Sequence, residues 1–184
     1  MSSIKKKRLI KDKRFVYEKH IAVKAIIERT DGKVLLIREP ENNEWMPLHW
    51  GLPGGKPFAK ESLEESFKRK MKDEIGQKVA IAGLYRIQEM LIEGVSVYFL
   101  IVVSKVGEGF ETTLADEEFR WVDLEDVEKM EIIEFSEFFN KEMLTQYLKG
   151  EKDLVPFSIV ETRKYYEMAN NDEYAKWLQS GKND

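Results

Sequence analysis

The chain has 184 residues, 42% hydrophobic and 35% charged, with a formal net charge of −4. That length suits one domain with an appendage, and no apolar run reaches the ~18 residues that a membrane-spanning helix requires. Cysteine is absent, which excludes disulfides and thiolate metal sites; the basic N-terminus lacks the apolar stretch of a secretory signal, so a cytoplasmic location is expected.

Residues 1–17 read as an arm. Lys5, Lys6, Lys7, Arg8, Lys11, Lys13 and Arg14 stand against Asp12 alone. Such a stretch suits a solvated tail better than nucleic-acid contact. Strands are expected over His20–Ile27 and Lys33–Arg38, with the hairpin signal Asp31–Gly32 between them. A polar loop, Glu39–His49, carries Trp45, and Trp50–Gly55 is an extended piece ending in a glycine turn. A helix follows over Glu61–Ile75, with Gly76 placed to end it.

Val79–Leu91 and Val95–Ser104 form a second predicted hairpin, turning at Glu93–Gly94. The near-continuous apolar run Val97–Val103 marks a central strand. An acidic loop, Gly107–Glu118, leads to a short strand, Phe119–Val122, and Asp123 caps a brief helix over Leu124–Met130. Phe135, Phe138, Phe139 and Met143 have helical spacing, which predicts a helix over Glu134–Lys149 stopped by Gly150. Ser158–Glu161 is a capping-box pattern that opens another helix, and Tyr174, Trp177 and Leu178 repeat the spacing near the end. The expected fold class is α+β, a mixed sheet between helices, with a helical extension over residues 151–184.

The chemistry concentrates in residues 51–76. On the helix, Leu63, Phe67, Met71 and Ile75 form an apolar stripe, and Lys70 and Glu74 fall on its border rather than opposite it. Border charges are costly unless paired or metal-bound. Asp73 and Glu74 together suit a hard cation such as Mg²⁺ or Mn²⁺, and Gly54–Gly55 lets backbone approach an ion or a diphosphate closely. Arg69 is placed to pair with Asp73, and the alternative reading is a plain helix carrying the ion pairs Arg69–Asp73 and Lys70–Glu74. Asp116, Glu117 and Glu118 are candidate bases, with Glu117 preferred; Arg38, Lys56 and Arg86 could meet phosphates; Trp45 and Phe58 could stack on a base or sugar. Trp50 and Trp121 read as core packing.

Gly55, Glu61, Arg69, Met71, Glu74 and Gly76 match the Nudix motif, G-x5-E-x7-R-E-U-x-E-E-x-G-U, at every required interval. The lead-in Trp50–Lys56 and the later Phe119–Val122 also resemble this hydrolase family, over roughly residues 18–130. The resemblance implies an α/β/α sandwich with a hydrolase domain over 18–150. It implies Glu74, Asp73 and Gly55 as metal-binding positions, and cleavage of a nucleoside diphosphate linked to another moiety. The chain departs from the motif at three positions. Lys70 stands where the first core acid belongs, Asp73 replaces a glutamate, and Gln77 replaces an aliphatic residue. Lys70 reduces the expectation to one metal. GDP-mannose mannosyl hydrolases similarly lack the first core acid, but their Gln-His pair is not evident here. A Nudix fold that binds a nucleotide without cleaving it is the alternative, and a homodimer through residues 151–184 is left open.

Overall fold

The computed structural model describes residues 18–43, 46–92, 95–115 and 118–161. Trp45, Asp116, Glu117, the Glu93–Gly94 turn, the N-terminal arm and the Tyr174–Leu178 stretch lie outside the described residues. Among the described residues seven strands form one sheet: β1 (Glu18–Arg29), β2 (Val34–Arg38), β3 (Trp50–Gly51), β4 (Gly54–Gly55), β5 (Gly83–Ile92), β6 (Val95–Val106) and β7 (Phe119–Val122). The principal order is β3-β2-β1-β6-β5, while β4 joins β1 and β7 joins β2. β1 and β6 run parallel over their whole length and the remaining pairs are antiparallel, so the sheet is mixed as expected.

Period-two alternation sorts the strands onto two cores. Val23, Ala25 and Ile27 of β1, with Leu35, Leu100 and Val102, meet Phe67, Met71 and Ile75 of helix α1 (Leu63–Ile75). The opposite phase, Ala22 and Ile26 with Leu36, Phe99, Ile101 and Val103, meets α2 (Leu124–Lys129) and α3 (Asn140–Leu148) through Val127, Met143, Leu144 and Tyr147. The result is an α/β/α sandwich. Among the described residues no helix is long and apolar enough to cross a membrane.

Several boundaries differ from the sequence expectation for local reasons. α1 begins at Leu63, not Glu61, because Ser62 takes the N-cap: its hydroxyl accepts from the Glu65 amide while Glu65 reaches back to the Ser62 amide. At the other end Gly76 adopts a left-handed φ of 71°. β5 starts at Gly83, four residues later than expected. The expected Glu134–Lys149 helix is broken. Ile132–Glu134 is a 3₁₀ turn, Phe135 is fully buried and bridges to Trp50, and α3 begins only at Asn140. The Ser136 amide donates to the Trp50 carbonyl at 2.9 Å. Tertiary pairing thus holds the chain extended where the aromatic spacing alone favours a helix. Phe138, counted in that spacing, is instead 53% exposed. Past α3, Val155 bridges to Leu84 of β5 and Phe157–Ile159 is a 3₁₀ turn; the rest of the helix expected to open at Ser158 lies outside the described residues.

Candidate active site

The glycine turn is fixed by β1. Gly54 and Gly55 pair with Lys24 and Val23, and Gly54 has φ +137°. A Cβ there would stand 2.1 Å from the Val23 carbonyl oxygen, so only glycine fits. The Gly54 amide donates to Glu74 Oε2 at 2.7 Å, which docks the last turn of α1 onto the turn. The other Glu74 oxygen, Oε1, accepts from Lys70 Nζ at 3.0 Å. The Lys70 stem fills the space above Gly55, where an added Cβ would lie 2.7 Å from Lys70 Cε.

Arg69 is clamped rather than free. Its guanidinium gives Glu61 a two-pronged contact, Nε to Oε1 at 2.7 Å and Nη2 to Oε2 at 2.9 Å. It also reaches the Lys56 carbonyl at 3.3 Å and covers the Phe58 ring at 3.8 Å. The Glu61 carboxyl is held below the usual glutamate range by this contact, and the Arg69 guanidinium is raised by it. The expected Arg69–Asp73 pair exists only at 3.7 Å, and Asp73 is 58% exposed. Arg69 therefore orients the Glu61 loop more than it orients Asp73.

Lys24, Glu39 and Glu137 were not singled out by the sequence reading. Lys24 sits on β1 in the apolar phase of Ala22 and Ile26 and is only 8% exposed. Its ammonium lies 3.1 Å from Glu137, 3.9 Å from Glu39, and donates to the Leu52 carbonyl at 3.2 Å. Burial alone would push Lys24 down, but Glu137, Glu39 and Glu74 outweigh it and the net shift is upward, so Lys24 stays charged. Burial raises Glu39. Glu137 is lowered overall: burial opposes ionisation, and Lys24, Ser136 and Asn140 more than offset it. A lysine in the inward register of a buried strand was the available signal. Its partners lie 15 and 113 positions away, beyond any local pattern.

The remaining predicted positions are spread out. Arg38 ends β2, donates to the Leu48 carbonyl at 3.1 Å and lies 5.9 Å from the Trp50 ring centroid. Lys56 follows the glycine turn. Arg86 lies on β5, at the opposite edge of the sheet order from β3, and donates to Gln146 at 2.8 Å. Glu118 accepts from the Ala115 amide at 3.0 Å. The structure thus gathers Gly55, Arg69, Asp73 and Glu74 on one helix and its facing turn, while Arg86 stands apart. Trp50, expected as core, is half-buried: it packs against the core on the α2–α3 side and lies beneath the guanidiniums of Arg38 and Arg120.

The glycine turn docks on a helix-end glutamate, and a helix-borne arginine closes the intervening loop. Residues 18–145 match the NUDIX domain family model, and the chain belongs to that family, the Nudix hydrolases, which act on small nucleotide-derived substrates. Among solved structures, the chain is similar to the MutT protein from Methanosarcina mazei Go1, at 24% identity and a TM-score of 0.63, covering 74% of this chain and 97% of that one. A NUDIX hydrolase from Nitrosomonas europaea gives 16% identity and a TM-score of 0.63, covering 79% and 98%. The C. elegans Ap4A hydrolase gives 18% and 0.53, covering 71% and 98%. These likenesses establish the fold. No curated protein matches the chain.

Proposed function

We propose that this chain hydrolyses a nucleoside diphosphate linked to another moiety, a nucleotide sugar or similar compound, using one Mg²⁺ or Mn²⁺. The observation that carries this reading is Glu74, held at 2.7 Å by the Gly54 amide and placed at the motif spacing from Arg69 and Glu61. Glu74 would be the principal ligand, with Asp73 and the Gly55 carbonyl as the further oxygen donors, and so few donors suit one ion at most; among the described residues no group of three or more His, Cys, Asp or Glu is placed to hold a metal. Lys70 competes for the same Glu74 oxygen. When bound, the ion supplies charge neutralisation of the diphosphate and activation of water.

The protein groups then divide the work. Arg38 and Lys56 bind phosphate oxygens, Trp45 stacks on the base or sugar, and Glu117 takes the proton of the attacking water; Arg86 is the weakest substrate candidate because Gln146 already engages it. The setting proposed is cytoplasmic. The test is incubation with Mg²⁺ or Mn²⁺ and a panel of nucleotide sugars, ADP-ribose, dinucleotides and nucleoside triphosphates. Glu74→Gln should lose at least about 100-fold in turnover, and full turnover in that variant would refute the reading. Free sugar plus a nucleoside diphosphate means attack at carbon, and two monophosphates mean attack at phosphorus.

Lys70 favours a second reading, in which its ammonium serves as the resident counter-charge of Glu74 and the fold binds a nucleotide without cleaving it. That reading requires thermal stabilisation by a ligand that survives chelator, with no product formed.

A further inference from the structure

Arg120 of β7 is a cation without an oxygen acceptor among the described residues. Its guanidinium lies 4.1 Å from the Trp50 ring centroid, its Nε is buried with no hydrogen-bond partner, and its Nη2 meets only the Met130 thioether at 3.0 Å. A thioether is a weak acceptor, so the buried Nε of this half-buried side chain, with Nη2 beside it, lacks the oxygen acceptor that burial normally requires. It lines a cavity of about 350 Å³ together with Asp126, Lys129, Met130 and Glu134.

The charges around that cavity narrow what could enter. Lys129 is closed onto Glu125 at 2.5 Å, leaving Arg120 facing two carboxylates. Each carboxylate spends one oxygen on a capping amide: Asp126 Oδ2 accepts from Asp123, and Glu134 Oε2 accepts from Glu131. The other oxygen of each accepts no hydrogen bond from the described residues. A phosphate would meet those carboxylates and be repelled. A neutral group with a carbonyl beside an N–H would satisfy both signs at once, the carbonyl on Arg120 and the N–H on Glu134 or Asp126.

We propose that this cavity receives the nucleobase of the substrate by a lactam edge, so that Arg120 selects guanine- or uracil-type bases against adenine- or cytosine-type ones. This rests on the reading of the substrate as a nucleotide. Guanine and uracil present a carbonyl next to a ring N–H; adenine and cytosine place an amino donor at the carbonyl position, where it would oppose the donors of Arg120. The volume is at the small end of ligand sites and suits a base rather than a whole nucleotide sugar. Trp50, on which Arg120 rests, opens the short run that leads to Gly54, the partner of Glu74.

The test is calorimetric titration of the full chain with GDP, UDP, ADP and CDP in chelator, where no metal-dependent cleavage occurs. The expected result is about tenfold or greater preference for GDP and UDP. Arg120→Met should erase that preference, and Glu134→Gln should reduce it with the fold intact by circular dichroism. Equal affinity for the four nucleotides, no binding of any, or a preference that survives both variants overturns the proposal. Glu74→Gln should retain the preference, so a failed hydrolase assay and a failed base assay are separate outcomes.

Discussion

Lys70 is the residue that most changes what this motif does. Its side chain leaves the helix on the border of the apolar stripe, crosses above Gly55 and ends 3.0 Å from Glu74. Exposure of 29% for Lys70 and 22% for Glu74 keeps the pair in a partly wet setting, so its own contribution to stability is small. On the proposed one-metal reading its effect on chemistry is larger, because the Lys70 ammonium occupies the carboxylate assigned to the cation. Lys70→Glu should raise Mn²⁺ affinity by about tenfold, since ligand charge sets the affinity of oxygen sites. Titration followed by the paramagnetic signal of free Mn²⁺ would read this directly, and an unchanged affinity would show that Lys70 does not govern metal binding. The motif spacing made Lys70 visible in the sequence. Its position over Gly55 was not, because that contact runs between a helix and a turn.

Among the elements, the site depends on how the glycine turn seats on β1 and under α1. Gly54→Ala would drive a Cβ to 2.1 Å from rigid backbone at a φ that side chains rarely adopt. The expected cost is about 3 kcal/mol or more, with loss of the Glu74 contact. Gly55→Ala is the informative control. Its Cβ would first meet the flexible end of Lys70, and the expected cost is under about 1 kcal/mol. Urea unfolding midpoints of the two variants should separate clearly; equal midpoints would mean the turn is not held as described. The helix itself was legible, because a stripe at i, i+4 ended by Gly76 is local information, whereas the Ser62 cap that moves its start to Leu63 emerged only in the structure. The broken segment before α3 was not. Phe135 and Glu137 belong to the chain's contacts with Trp50 and Lys24, and these override the helical spacing of the phenylalanines.

Across the molecule, Glu28 ties the sheet to α3 and to the segment beyond it. It occupies the inward phase of β1 and accepts from the Tyr147 hydroxyl at 2.8 Å, with Lys152 in direct contact and Lys105 at 3.9 Å. Burial pushes the Glu28 carboxyl up, but the Lys152 and Tyr147 contacts outweigh it and the net shift is downward. A carboxyl lowered in the folded state stabilises fully above its unfolded value and loses that contribution as pH falls through the folded one. Glu28→Gln should therefore cost about 1–3 kcal/mol at neutral pH, because the amide keeps an acceptor for Tyr147 but loses the charge that faces Lys152 and Lys105. The gap to the natural chain should close as pH falls below the ordinary glutamate value of 4.5. Chemical denaturation across that range measures it, and a gap that stays constant with pH would show that charge on Glu28 contributes nothing. Tyr147 shifts upward for the matching reason, burial first and the Glu28 carboxylate second.

The mixed sheet, the glycine turn, the helix ended by Gly76 and the family could all be read from the linear chain, because each is written in short-range spacing and periodicity. Which charges face one another could not. Lys24 meets Glu137, Glu28 meets Lys152, and Arg120 rests on Trp50, each pair joining strands and loops far apart in the chain. Those pairings arise from strand order and from the face each side chain takes in the folded sheet. A linear pattern can mark a charged residue in a buried phase, but only the assembled layers supply its partner.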